Sequence, residues 1–301
     1  VIYNLKSMQI EPRNANSLKR YMGNYRMHKL EEFQLSGLLD TEILYFFLRR
    51  NPNLKSLLLS NSFLEQLAPP RKLIEENSGL VPRLRSLELK NLPLLQMIGF
   101  EEDTILFQEL ECLIFKNCPC LNTIAPSSVS FTYLTNLEVF NCDELSYLIT
   151  PSTARSLVQL TTMKVIQCKS MKTIVSEQEN KARIIPDLSD QENEEPELSE
   201  QENEETELRI IFKQLKELEL VDLHELKCFS TIYAFDFPSL EKFVVGACGS
   251  MKSFTISHKK TPPDNKTPIL RKICVRHGKE DKVCYWKGDL NTTIQHMYEI
   301  R

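Results

Sequence analysis

Leu134 to Ile149 reads LTNLEVFNCDELSYLI, and its apolar residues fall at Leu134, Leu137, Val139, Cys142, Leu145 and Leu148. The segment around Leu137 and Val139 alternates as a strand does, sending every second side chain to one side. The later pair, Leu145 and Leu148, brings the chain back through a turn whose apolar residues point the same way. One such unit has nothing to bury that face against. Copies stacked on one another share a continuous core.

Copies are present on both sides. Downstream lie Leu160, Met163, Val165, Cys168, Met171 and Ile174. Upstream are Leu110, Leu113, Phe115, Cys118, Leu121 and Ile124, preceded by Leu84, Leu87, Leu89, Leu92, Leu95 and Ile98. Beyond a gap the pattern resumes at Leu215, Leu218, Leu220, Leu223, Leu226 and Phe229, then at Leu240, Phe243, Val245, Cys248, Met251 and Phe254. First halves match at Leu30, Leu54 and Leu270. Leading leucines at 30, 54, 84, 110, 134, 160, 215, 240 and 270 are spaced by 24, 30, 26, 24, 26, 55, 25 and 30 residues. All but one spacing fits, or just exceeds, the ~20–29-residue period of leucine-rich repeats. An apolar residue three places before the leading leucine (Val81, Phe107, Phe131, Leu157, Phe212, Phe237) adds a further column.

The expected fold is therefore an α/β solenoid, a leucine-rich-repeat horseshoe. A parallel β-sheet lines its concave face, and loops and short helical turns form the convex side. One repeat domain spans 1–301. Residues 1–29 read as degenerate or truncated repeats and hold six cations against one acid. Residues 286–301 read as a cap: Asp289 opens a helix in which Leu290, Ile294, Met297 and Tyr298 share a face, with Trp286, the only tryptophan, packed nearby.

The 55-residue spacing contains an acidic tract, 177–207, with thirteen carboxylates, two cations and a duplicated unit, LSDQENEEPE then LSEQENEETE. Its net charge of -11, against -4 for the whole chain, leaves +7 on the remainder. Such composition cannot build a core and is expected to be disordered. It reads as a solvated insert. The sharper alternative is an electrostatic arm over basic flanks of the same chain.

Other function classes find little support. The 301 residues include 8 glycines, with no GxxxxGK[ST] or GxGxxG phosphate loop, and no apolar run approaches the ~20 residues of a membrane span. The nine cysteines do not follow the spacing of a small disulfide scaffold, no charged-then-apolar segment opens the chain, and a reducing, cytoplasmic setting is expected. Cys118, Cys142, Cys168 and Cys248 occupy one repeat column and read as a structural row rather than a metal cluster; Cys112 with Cys118-Pro119-Cys120 fits no zinc spacing. The five histidines lack acidic or nucleophilic companions, so no catalytic, cofactor or metal site is expected. Lys259-Lys260 and Arg271-Lys272 read as solvated loops, making nucleic acid an improbable partner. Asn265 and Asn291 match N-x-[ST], a motif frequent by chance.

The informative positions are those turned outward on the strands. Lys90, Lys116, Glu138, Phe140, Lys164, Ile166, Glu219, Val221, Val244 and Arg276 form the expected partner-binding set on the concave face. Apolar groups stand beside lysines there, as interaction surfaces require. The plainer reading is that β-branched residues favour strands and shield one another sideways.

Units such as FPSLEKFVVGACGSMKSF (Phe237–Phe254), LTNLEVFNCDELSYLI and LRSLELKNLPLLQMI (Leu84–Ile98) resemble the C-terminal repeats of plant intracellular nucleotide-binding leucine-rich-repeat receptors of the coiled-coil class. WKGDLNTTIQHMYE (Trp286–Glu299) is similar to the segment that closes that region. The resemblance covers about residues 30–299. It implies a solenoid that restrains a neighbouring nucleotide-switch domain in the parent protein. It also implies a part in detecting pathogen effectors, directly or through a guarded host protein. This chain carries no P-loop module or N-terminal signalling domain, so it is not expected to bind ATP or to signal alone. The competing reading is the substrate-recognition repeats of an F-box-type ubiquitin-ligase adaptor, although 1–29 show no convincing F-box. A cell-surface ectodomain would carry GxIP motifs and paired cap cysteines, which are not found.

Overall fold

Every leading-leucine unit places a short strand just after its first leucine, and the strands pair side by side. The computed structural model describes residues 6–10, 29–67, 82–99, 107–125, 129–176, 209–255, 272–277, 280–285 and 287–299. Readings of the 177–207 tract, Trp286, Asn265, the side chain of Tyr298 and most of 1–29 lie outside the described residues.

Among the described residues ten strands of the main sheet run parallel: β1 (Ser7–Ile10), β2 (Glu32–Ser36), β3 (Ser56–Ser60), β4 (Ser86–Lys90), β5 (Cys112–Lys116), β6 (Asn136–Phe140), β8 (Thr162–Ile166), β11 (Glu217–Val221), β13 (Lys242–Gly246) and β14 (Lys272–His277). An eleventh, β15 (Glu280–Tyr285), pairs antiparallel with β14 and ends the sheet. Nine of the ten parallel strands follow the nine leading leucines. Strand β1 is an addition, in a region the repeat template could not place.

The columns hold. Leu113, Leu137, Met163 and Leu218, neighbours on successive strands, are fully buried, as are Phe115, Val139, Val165 and Leu220. Each such side chain is worth about 1.5–3 kcal/mol of transfer free energy, realised only because the next turn covers it. In the C-terminal turns the core is aromatic. Phe229 lies 4.7 Å from Phe254 and 4.8 Å from Phe235, ring centre to ring centre, and also meets Phe212 and Phe237.

Elements the repeat template does not contain fill the convex side. Helix α1 (Thr41–Arg50) is capped by Asp40, whose carboxylate accepts from the Glu42 N–H at 2.7 Å. Helix α2 (Pro151–Ser156) starts with proline behind a Thr150 cap. Two small parallel pairs, β7 (Tyr147–Ile149) with β9 (Thr173–Val175) and β10 (Arg209–Ile211) with β12 (Ala234–Asp236), add hydrogen bonding there. Helix α3 (Leu290–Glu299) buries Leu290, Thr293 and Ile294. Asp289 caps it by accepting from the Thr292 N–H at 2.9 Å. The Asn291 side-chain oxygen accepts from the backbone N–H groups of Phe254 and Thr255 at 2.7 and 2.9 Å, so this helix satisfies donors that a further turn would have satisfied.

A feature absent from the leucine template sets the turn after each strand. Asn61, Asn91, Asn117, Asn141, Gln167, Asp222 and Ala247 follow β3, β4, β5, β6, β8, β11 and β13 with φ between 48° and 58°. Gly37 takes the equivalent place after β2. This left-handed conformation suits glycine and asparagine and costs other residues about 1–2 kcal/mol. The backbone N–H of each, from Gly37 to Asp222, donates to the last strand carbonyl of the next turn, as Asn117 does to Phe140 at 2.9 Å. The side chains form a rail: the amide Nδ2 of Asn91 donates to Asn61 Oδ1, Asn117 to Asn91 and Asn141 to Asn117, at 2.8–3.0 Å. Asn117→Ala is expected to cost about 1–2 kcal/mol. Ala247→Asn, which replaces a residue poorly suited to its backbone, is expected to add about 0.5–1 kcal/mol. Urea unfolding of both variants checks the pair.

The cysteine column is a structural row, as read from the repeat. Cys118, Cys142 and Cys168 are buried on successive turns, and each thiol donates to the carbonyl two residues back (Lys116, Phe140, Ile166) at 3.6–3.7 Å. Contact with Cys118 and Cys168, reinforced by burial, pushes the Cys142 thiol far up, so it stays protonated. Ser62 fills the same column, its hydroxyl donating to the Ser60 carbonyl at 2.8 Å. Among the described residues no three His, Cys, Asp or Glu side chains are placed to hold a metal ion.

A candidate interaction surface on the concave sheet

Three outward positions per strand make three rows across the sheet, because consecutive strands pair in register without a slip. The middle row runs Glu88, Ile114, Glu138, Lys164, Glu219, Val244. The row nearer the asparagine rail runs Lys90, Lys116, Phe140, Ile166, Val221, Gly246. Neighbours within a row stand about 4.8 Å apart. Charges and apolar groups therefore interleave on a scale matching a bound polypeptide.

Six of the ten expected partner-binding residues stand at the surface. Lys90 is exposed, while Lys116, Glu138, Phe140, Lys164 and Ile166 are half-buried. Lys116 Nζ binds Glu88 at 2.9 Å and lies 5.9 Å from the centre of the Phe140 ring, joining the charged and aromatic parts of the strip.

Three other positions depart from the expected exposure. Glu219, Val221 and Val244 occupy outward places in the alternation but are only 6%, 4% and 0% exposed. Alternation specifies the side of the sheet a residue faces, not whether that side is wet, so at the middle and rail-side positions of β11 and β13 the outward face is covered. In these two rows the exposed strip narrows to β4, β5, β6 and β8. Arg276 pairs through its backbone with Gly246 and Asp281, and its side chain lies outside the described residues.

Glu217, at the first outward position of β11, belongs to the strip and was not among the expected residues. It lies 2.6 Å from Lys242 Nζ and 3.6 Å from Lys164 Nζ, on the two flanking strands. Extending the alternation one residue towards the N-terminus of each strand would have found it. Burial pulls the Glu217 carboxyl up, but the hydrogen bond from Lys242 and the positive charges of Lys164 and Lys242 outweigh burial and hold it below the usual range. A depressed carboxyl contributes stability above its unfolded value of about 4.3 and loses it as pH falls through the lower folded value. Glu217→Gln is expected to cost about 0.5–1 kcal/mol at pH ~7, with the difference from the parent closing near pH ~3. Urea midpoints at the two pH values provide the check.

The fold and this surface define a class: a leucine-rich-repeat solenoid whose exposed chemistry is that of a protein-interaction module. Residues 129–261 match the family model described as plant disease resistance protein RPS2-like, leucine-rich repeats. No curated protein and no solved structure matches the chain. That match supports a protein-interaction role in plant defence. Among the described residues, no helix is long and apolar enough to cross a membrane.

Proposed function

We infer that this domain is the recognition and restraint region of a cytoplasmic plant immune receptor. Its concave strip receives a pathogen effector or a guarded host protein, and in the parent protein the solenoid holds a nucleotide-switch domain inactive. The strip of Lys90, Lys116, Glu138, Phe140, Lys164 and Ile166 is the observation that supports this reading. It combines half-buried apolar groups with charges of both signs on a rigid parallel sheet. Such surfaces gain affinity from a few anchored aromatic and aliphatic residues and specificity from the charges around them.

The experiment has two arms. Extending the transcript upstream of Val1 is expected to reveal a nucleotide-binding module; an F-box there would overturn the reading. In the parent receptor, Phe140→Asp with Ile166→Asp is expected to abolish pathogen-triggered cell death in leaves while the protein accumulates normally. Undiminished response would remove the concave strip from recognition. The same variants bear on restraint through their response without pathogen, where cell death above the parent's background would mark release of the switch.

A further inference from the structure

The edge where the chain enters strands β1 to β4 carries a groove of about 740 Å³, within the range of ligand-sized clefts. Lys6, Lys29, Lys55, Arg83 and Arg85 line it, against two acids, Glu31 and Glu109. The five cations come from four consecutive turns, so they form a row about 14 Å long at the sheet's strand spacing. This edge is separate from the outward rows of the concave strip, and nothing in the proposed function uses it.

The ion pairs in the row are of the exchangeable kind. Lys55 meets Glu31 at 3.2 Å, Arg83 meets Glu109 at 2.7 Å and Arg85 meets Glu111 at 3.1 Å. The three cationic side chains remain 53%, 62% and 57% exposed. Exposed pairs of this sort contribute little and trade partners readily. We propose that the groove binds an extended acidic peptide stretch of a partner protein. Alternate residues of an extended chain lie about 6.8 Å apart and can place carboxylates along such a row. The two glutamates within the row would repel a continuous phosphate backbone, whereas a peptide can leave neutral residues opposite them. No aromatic ring among the described lining residues offers a base-stacking platform.

The test uses the full 301-residue chain and a short labelled peptide of alternating Glu and Ser, followed by fluorescence anisotropy. Binding is expected at low ionic strength and is expected to weaken as salt rises. Lys55→Glu with Arg85→Glu should weaken it about tenfold or more. A matched control is available in Lys227 and Lys252, exposed lysines on successive turns that line no part of the groove; reversing both to Glu should leave the affinity unchanged. Equal loss in the two double variants, or no peptide binding by the parent chain, would overturn the proposal. So would preference for inorganic tripolyphosphate with no peptide binding. Peptide binding that appears only after residues 177–207 are deleted would also overturn it, by assigning the groove to the chain's own acidic tract.

Discussion

Phe229→Ala is expected to be among the most damaging single truncations in the C-terminal turns, costing about 3–5 kcal/mol. The ring is fully buried and meets four other phenylalanines, Phe212, Phe235, Phe237 and Phe254, with centres 4.7–6.3 Å away. Truncation removes the transfer free energy of the ring and leaves a cavity between turns. Each aromatic pair can add about 0.5–1.5 kcal/mol beyond area burial, so several favourable edge and stacking contacts go together. Collapse is hindered because the Phe229 backbone is itself tied, accepting from Ile174 and Val175 and donating to Phe254. Phe229→Leu keeps most of the volume and is expected to cost under about 1.5 kcal/mol. Urea midpoints for the two variants decide the matter: similar losses would mean the site relaxes freely and the aromatic cluster contributes nothing special.

Leu137→Asp should have an equally large effect by a different route. Leu137 is fully buried on β6, between Leu113 and Met163 of the adjacent strands. A carboxyl placed there has apolar neighbours on both strands and takes a proton rather than stay charged, at a cost of several kcal/mol. Its folded pKa is raised, so the variant's deficit should deepen as pH rises from about 4 to about 7. Loss of one central turn also removes the interfaces on both sides of it, and the effect should propagate along the stack. One residue further on, Glu138 faces outward, and Glu138→Asp should change stability by no more than about 0.5 kcal/mol. Circular dichroism and urea unfolding across that pH range test the contrast. Equal tolerance at 137 and 138 would contradict the alternation on which the sheet rests.

These two residues also mark what the sequence reveals and what it hides. Leu137 and its column equivalents announce their burial because every turn repeats the same physical demand. Cys142 is legible for the same reason. The asparagine rail carried an equally regular signal, with Asn61, Asn91, Asn117 and Asn141 all directly behind their strands, but a template of leucines does not look there. Helix α1 and the pairs β7–β9 and β10–β12 occupy convex connections, where each turn solves its own local problem and no period exists to find. Strand β15 reverses direction, and a pattern built on parallel repeats has no place for it. For the site, the outward row was readable and its wetness was not. Glu219, Val221 and Val244 obey the alternation, yet their burial depends on tertiary cover that strand periodicity does not encode.

The reversed strand at the end of the sheet constrains how such a protein can lengthen. Because β15 runs against the repeats, its outer edge is unsuited to another parallel unit arriving in register. On this side of the sheet, turns can be added by gene duplication only ahead of β15, between strands that already run the same way. Each unit gained there would broaden the binding face by about 4.8 Å and shift every downstream surface residue by one step relative to those upstream. Descendants of this sequence would thus diverge in breadth and spacing of their contact rows while keeping the same reversed strand.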